Sequence, residues 1–151
     1  MSAYLAREHN DAVFAAVQAI CEALSPVRYA GDSDVPSQVK DSKGVVDPAK
    51  MPYAVVYPLG SSSFDGSMAL DDLDSDAFPT SQVTFVGASR EQADWLRDQV
   101  RPQILGTYLT ISDRKVGPVR LHAETPSDKD TTVTPYLFWC VDQYRAFSTP
   151  S

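Results

Sequence analysis

The sequence predicts an α+β fold: a mainly antiparallel sheet with two helices on one face, in the order α-β-β-β-α-β-β-β. Three observations predict it. Two segments, 5–24 and the part of 82–106 between Ser89 and Gly106, carry apolar residues at steps of three and four, the helical period. Several short segments alternate apolar and polar residues, the period of a strand with one face buried. The strands come in runs between the helices rather than alternating with them singly, which separates helices from hairpins and gives an α+β layer arrangement.

In residues 5–24, Val13, Ala16, Val17, Ile20 and Leu24 form one stripe, with Arg7 and His9 in exposed first turns and Ser25-Pro26 as the stop. Val27 to Tyr29 make a short strand. Residues 30–50 hold Gly, Asp, Ser, Pro and Lys with isolated Val; a connection of that length is expected to be an interaction arm or partly disordered. The next strand is 53–59, YAVVYPL, its prolines marking a margin or an edge. A long acidic loop, 60–80, separates it from the neighbouring strand 82–87. Gly87 then leads into the clearest element. Ser89 with Gln92 three residues on is a capping box, and Ala93, Leu96, Val100 and Ile104 form the inward stripe. Glu91, Asp94, Arg97, Asp98 and Arg101 take the opposite side, Pro102 tightens the last turn, and Gly106 ends the helix. Residues 107–112 and 119–124 are expected to pair as a hairpin around a basic turn at Arg114 and Lys115. A polar loop leads to the last strand, 135–147, whose early half is apolar on both faces and is expected to be covered on both sides; the tail STPS is expected to fray.

Length and composition limit the function. The 151 residues fit one domain, with the 30–50 and 60–80 loops as its long connections. Hydrophobic residues make 43% and charged residues 22%, as in an ordinary globular chain. A net charge of −7 argues against a nucleic-acid-binding surface, which needs clustered Lys and Arg against phosphates. No apolar run is long enough for a membrane span, and the N-terminus lacks the layout of a signal peptide, so a cytoplasmic folding site is expected. Cys21 and Cys140 are expected to be buried thiols rather than a disulfide.

Catalytic and metal chemistry find little footing. Asp72, Asp74 and Asp76 look like the start of a calcium loop, but Ala77 and Val83 stand where a Gly turn and a bidentate Glu are needed. His9 and His122 have no zinc spacing with the cysteines. A Cys140–His122 pair on neighbouring strands stays open as a thiol site, although Cys140 lies in the strand expected to be buried. There is no phosphate-binding Gly-rich loop, and Gly87-Ala88-Ser89 reads as a tight strand–helix turn. No cofactor and no metal are expected. The 60–80 loop is more informative. It holds Asp65, Asp71, Asp72, Asp74 and Asp76 without a single Lys or Arg, and intersperses Phe64, Met68, Leu70, Leu73 and Phe78. Apolar residues among that many carboxylates resist self-packing and point to a partner.

The order of these parts resembles the tail terminator, or tail completion, proteins of long-tailed (siphovirus-type) actinobacteriophages. The resemblance runs from the N-terminal helix through PYAVVYP at 52–58 and QVTFVGASREQADWLRDQVRPQILG at 82–106 to TPYLFWCVDQYRAFSTP at 134–150, with the 82–106 string and VDQYR at 141–145 weighing most. It implies a structural virion protein of the tail and neck, assembled in the host cytoplasm, with no catalytic motif to carry over. Such proteins form a six-fold ring that caps the head-proximal end of the tail tube, stops its polymerisation and joins it to the head connector. The implied partners are further copies of the chain, the major tail tube protein and the head-closure protein, with DNA passing through the channel unbound. Head-to-tail ring closure sets one surface of a copy against a different surface of the next. The candidate residues are Phe64, Asp71, Asp72, Asp74, Asp76 and Phe78 on one side and Arg114 and Lys115 on the other. The same carboxylates facing a channel would repel DNA phosphates. Two other readings stand beside this one: another neck protein (head-closure or connector adaptor) or minor tail protein, and, farther off, a small α+β enzyme or ligand-binding domain.

Overall fold

The computed structural model describes residues 2–63 and 77–151. Its elements are α1 (Ser2–Glu22), β1 (Ala30–Asp32), β2 (Tyr53–Ser63), β3 (Ala77–Gly87), α2 (Arg90–Ile104), β4 (Arg114–Val116), β5 (Arg120–Asp130), β6 (Leu137–Arg145) and β7 (Ser148–Pro150). Among the described residues the strands form one sheet in the order β1-β2-β3-β6-β5, with β4 and β7 paired to each other beside it. Only the β1–β2 pairing is parallel; the others are antiparallel. Both helices lie on one face, α1 over β2 and β3 and α2 over β3 and β6. The α+β class and the helix placement are as the periodicities predict.

The main core sits between that face and the helices. Val13, Val17 and Cys21 of α1 and Ala93, Leu96, Val100 and Ile104 of α2 pack on Ala54, Val56, Val83, Phe85, Cys140 and Tyr144. The strict alternation along β3, with Ala77, Pro79, Ser81, Val83, Phe85 and Gly87 buried, is the pleat facing that layer. The α2 boundary forms at Ser89 and Gln92 as predicted, except that Gln92 reaches past the cap amide to the one before it. Ser89 Oγ accepts from Gln92 N (3.2 Å), and Gln92 Oε1 accepts from Ala88 N (2.9 Å). Gly87 is needed at this junction, because a Cβ there would stand 2.7 Å from Gln92 Cβ and 2.8 Å from Ala93 N. Gly106 takes φ 85° just past the helix end, a left-handed conformation that suits glycine.

Several expectations are corrected. His9 is buried, not exposed, because α1 turns His9, Asn10, Val13, Val17 and Cys21 inward together. The 30–50 stretch is an ordered cover. Two 3-10 turns, Ser37–Val39 and Pro48–Lys50, fold it onto the second face of β2, where Val39 packs with Met51, Tyr53 and Val55. The isolated valines are the anchors, and β2 is apolar on both faces because both are covered. β2 lies inside the sheet, between β1 and β3, rather than at an edge. The first strand falls at 30–32 instead of 27–29, and Gly31 lets Asp34 and Pro36 close over it: a Cβ would stand 1.9 Å from Asp34 O. The 60–80 loop is shorter than its composition implies, since β2 runs on to Ser63 and β3 begins at Ala77.

The C-terminal third departs most. Residues 107–112 make no ladder; the single bridge Tyr108–Pro118 replaces the expected hairpin. Asp113, at φ 61°, redirects the chain so that Arg114–Val116 is a strand rather than a turn, and it pairs with Ser148–Pro150. The tail is thereby fixed rather than frayed. Residues 120–124 of the expected 119–124 strand belong to β5, which continues to Asp130 along β6 and absorbs most of the expected polar loop; its polar residues are tolerated because β5 is a sheet edge. Of the expected strand 135–147, β6 takes 137–145, and its burial falls on Cys140, Val141, Asp142 and Tyr144, while Leu137 to Trp139 stay half-buried.

Candidate functional site

Along β6, Cys140, Asp142 and Tyr144 alternate onto the helix face. A carboxylate there is far from water and needs a counter-charge. Arg101 supplies it from α2, donating from Nε to Asp142 Oδ2 (2.9 Å) and from Nη2 to Asp142 Oδ1 (2.5 Å), a bidentate fork. Tyr144 donates its hydroxyl to Asp142 Oδ2 (2.7 Å), and Glu124 of β5 closes the cluster on Arg101 Nη2. The hydrogen bond to Asp142 holds the Arg101 guanidinium above its ordinary value, and burial pushes the Tyr144 phenol up. The spacing argument put Arg101 on the outer side of the helix; its long side chain instead reaches along the flank to the sheet. The sequence signal that could have found this cluster is Asp142 itself, an acid at an inward position of an apolar strand. The group has the character of a clamp between α2 and the sheet.

A second polar cluster ties the termini together. Arg114 donates from Nε to Ser148 Oγ (2.6 Å) and from Nη2 to Ser148 O (3.1 Å), and His9 Nε2 lies 3.0 Å from the same hydroxyl. Arg114, a candidate interface residue, thus bonds within the chain, while Lys115 beside it is exposed on β4. Phe64, Asp71, Asp72, Asp74 and Asp76 lie outside the described residues, as does the Asp72–Asp74–Asp76 run compared with a calcium loop. Phe78 is placed. It lies on the sheet face away from the helices, its ring 5.4 Å from that of Phe147 and 4.7 Å from the Arg145 guanidinium. With Gly117, Pro118 and Arg120 these residues line a pocket of about 140 Å³.

On the opposite end of that face a shallow apolar groove of about 320 Å³ runs between Val45, Pro48 and Met51 on one side and Val133, Pro135 and Tyr136 on the other. It has no convergent polar groups of the kind that orient a small substrate. The Cys140–His122 pair does not form. His122 is exposed, at the β5 bulge opposite Gln143 and Tyr144, whereas Cys140 is fully buried with its thiol toward Ala93 O (3.6 Å). Among the described residues no group of three His, Cys, Asp or Glu side chains is placed to hold a metal ion, and no helix is long and apolar enough to cross a membrane.

Both cysteines are free and buried, as expected. Burial pushes the Cys21 thiol up to about 12 and Cys140 up to about 11, from an ordinary 9.0. The folded state therefore keeps two protons that the unfolded chain releases. Their contribution is intact below about pH 9 and is lost as pH rises from there toward the folded values, at about 1.4 kcal/mol per pH unit for each thiol. Urea midpoints measured between about pH 9 and 10 are expected to fall. The Cys21→Ala/Cys140→Ala variant should lose most of that slope; an unchanged slope would assign the alkaline loss to other groups.

No protein-family model and no curated protein matches the chain. Among solved structures the fold is similar to that of a chain in the virion of a native gene transfer agent particle, at 13% identity, over 87% of this chain and 83% of that chain, with a TM-score of 0.53. At that identity the likeness is one of fold.

Proposed function

We propose that this chain is a structural virion protein, a ring-forming tail terminator that caps the head-proximal end of a phage tail tube, stops its polymerisation and joins it to the head connector. The observation that carries the reading is the shared fold with a virion chain across nearly the whole of both chains. The sequence resemblance of 82–106 and 141–145 to tail terminators supports the finer assignment. The ring is expected to be six-fold, built by head-to-tail contacts, with tube protein on one side and head-closure protein on the other. DNA would pass through the ring without specific binding, as the net charge of −7 favours.

Purified protein mixed with tail tubes, viewed by negative-stain microscopy and weighed by light scattering, tests this. Rings seated on tube ends are expected, together with tubes of unregulated length when the protein is absent during assembly. Rings that bind head connectors and ignore tube ends would make it a different neck protein. A particle without rings in either setting would sink the reading.

A further inference from the structure

The pocket beside Phe78 contains an unusual pair of charges. Arg120 of β5 and Arg145 of β6 are direct partners in the antiparallel register, so both side chains leave the same sheet face. Like charges so placed repel unless an anion lies between them. Neither guanidinium forms an ion pair with a described residue. Arg145 rests on the Phe78 ring, which fixes its position, and Arg120 is exposed. The result is a basic recess on a chain whose net charge is −7, with Phe78 and Phe147 as an apolar wall.

We infer that this recess receives carboxylates of a second copy of the chain, supplied by its 64–76 segment. That segment carries five aspartates, no Lys or Arg, and the apolar Phe64, Met68, Leu70 and Leu73. Its carboxylates are complementary in charge to the two arginines of the recess. The donor and acceptor surfaces are different parts of the molecule, so the contact propagates head to tail and closes a ring when the rotation allows. This rests on the ring reading above and replaces Arg114, engaged with Ser148, by Arg120 and Arg145 as the basic half.

The test uses two full-length variants. One is Arg120→Glu/Arg145→Glu, with Arg120→Gln/Arg145→Gln as the milder form should the first fold poorly. The other is Asp71→Lys/Asp72→Lys/Asp74→Lys/Asp76→Lys. Each alone is expected to lose ring formation on tube ends by roughly tenfold or more. An equal mixture of the two charge-reversed proteins is expected to restore it, because every acidic recess then meets a basic segment and every basic recess an acidic one. If the variants form rings as well as the wild type, the recess is not the contact. If one chain carrying both sets of changes is restored while the mixture is not, the pairing lies within a chain and the inference fails. If the wild type itself forms no ring even on tube ends, the failure belongs to the ring reading.

Discussion

Replacing Arg101 with methionine is expected to destabilise the protein by about 3–5 kcal/mol at neutral pH. The reason is what it leaves behind. Asp142 is fully buried, and its carboxylate is balanced by the Arg101 fork at 2.9 and 2.5 Å and by the Tyr144 hydroxyl at 2.7 Å. Without the guanidinium, one neutral hydrogen bond remains for a charge in a low-dielectric site. Arg101→Met/Asp142→Leu should recover most of the loss, since a well-packed apolar pair removes the unpaired charge. Urea unfolding of the single and double variants at about pH 7 measures this coupling. A single-variant cost below about 1 kcal/mol would mean the fork contributes as little as an exposed pair.

Phe85→Ala is the second large effect, with an expected loss of about 3–5 kcal/mol. Phe85 lies near the C-terminal end of β3, fully buried in the layer that α1 and α2 share. Its register partners are Ala54 on one side and Cys140 on the other, both small, so no large neighbour stands ready to fill the void. The second face offers a comparison. Val39 is equally buried but belongs to the 33–52 cover, where it packs with Met51, Tyr53 and Val55, and Val39→Ala should cost about 2 kcal/mol or less. Hydrogen exchange separates the two cases. Phe85→Ala should raise exchange throughout β2, β3 and β6, whereas Val39→Ala should raise it chiefly in residues 33–52. Equal, global effects would show that the cover and the helix layer unfold as one unit.

Local order in the chain was legible wherever a residue's neighbours in sequence set its environment. The α2 stripe of Ala93, Leu96, Val100 and Ile104, its Ser89–Gln92 cap and the Gly106 stop follow from helical periodicity and backbone sterics, and each is found where the spacing puts it. The alternation of 82–87 told which side chains face the helices, and the grouping of strands told the α+β class. What the sequence by itself left undetermined depends on pairing at a distance. Whether 119–124 joins 107–112 or the last strand is decided by long-range register, and β6 takes it. Whether 30–50 is an arm or a cover is decided by the apolar second face of β2, which three scattered valines suffice to meet. The Arg101–Asp142 fork, the His9–Ser148–Arg114 tie and the opposed Arg120 and Arg145 each join residues that no period or motif links. Only the tertiary fold brings these charges within the few ångströms at which desolvation and Coulomb energy outweigh local propensity.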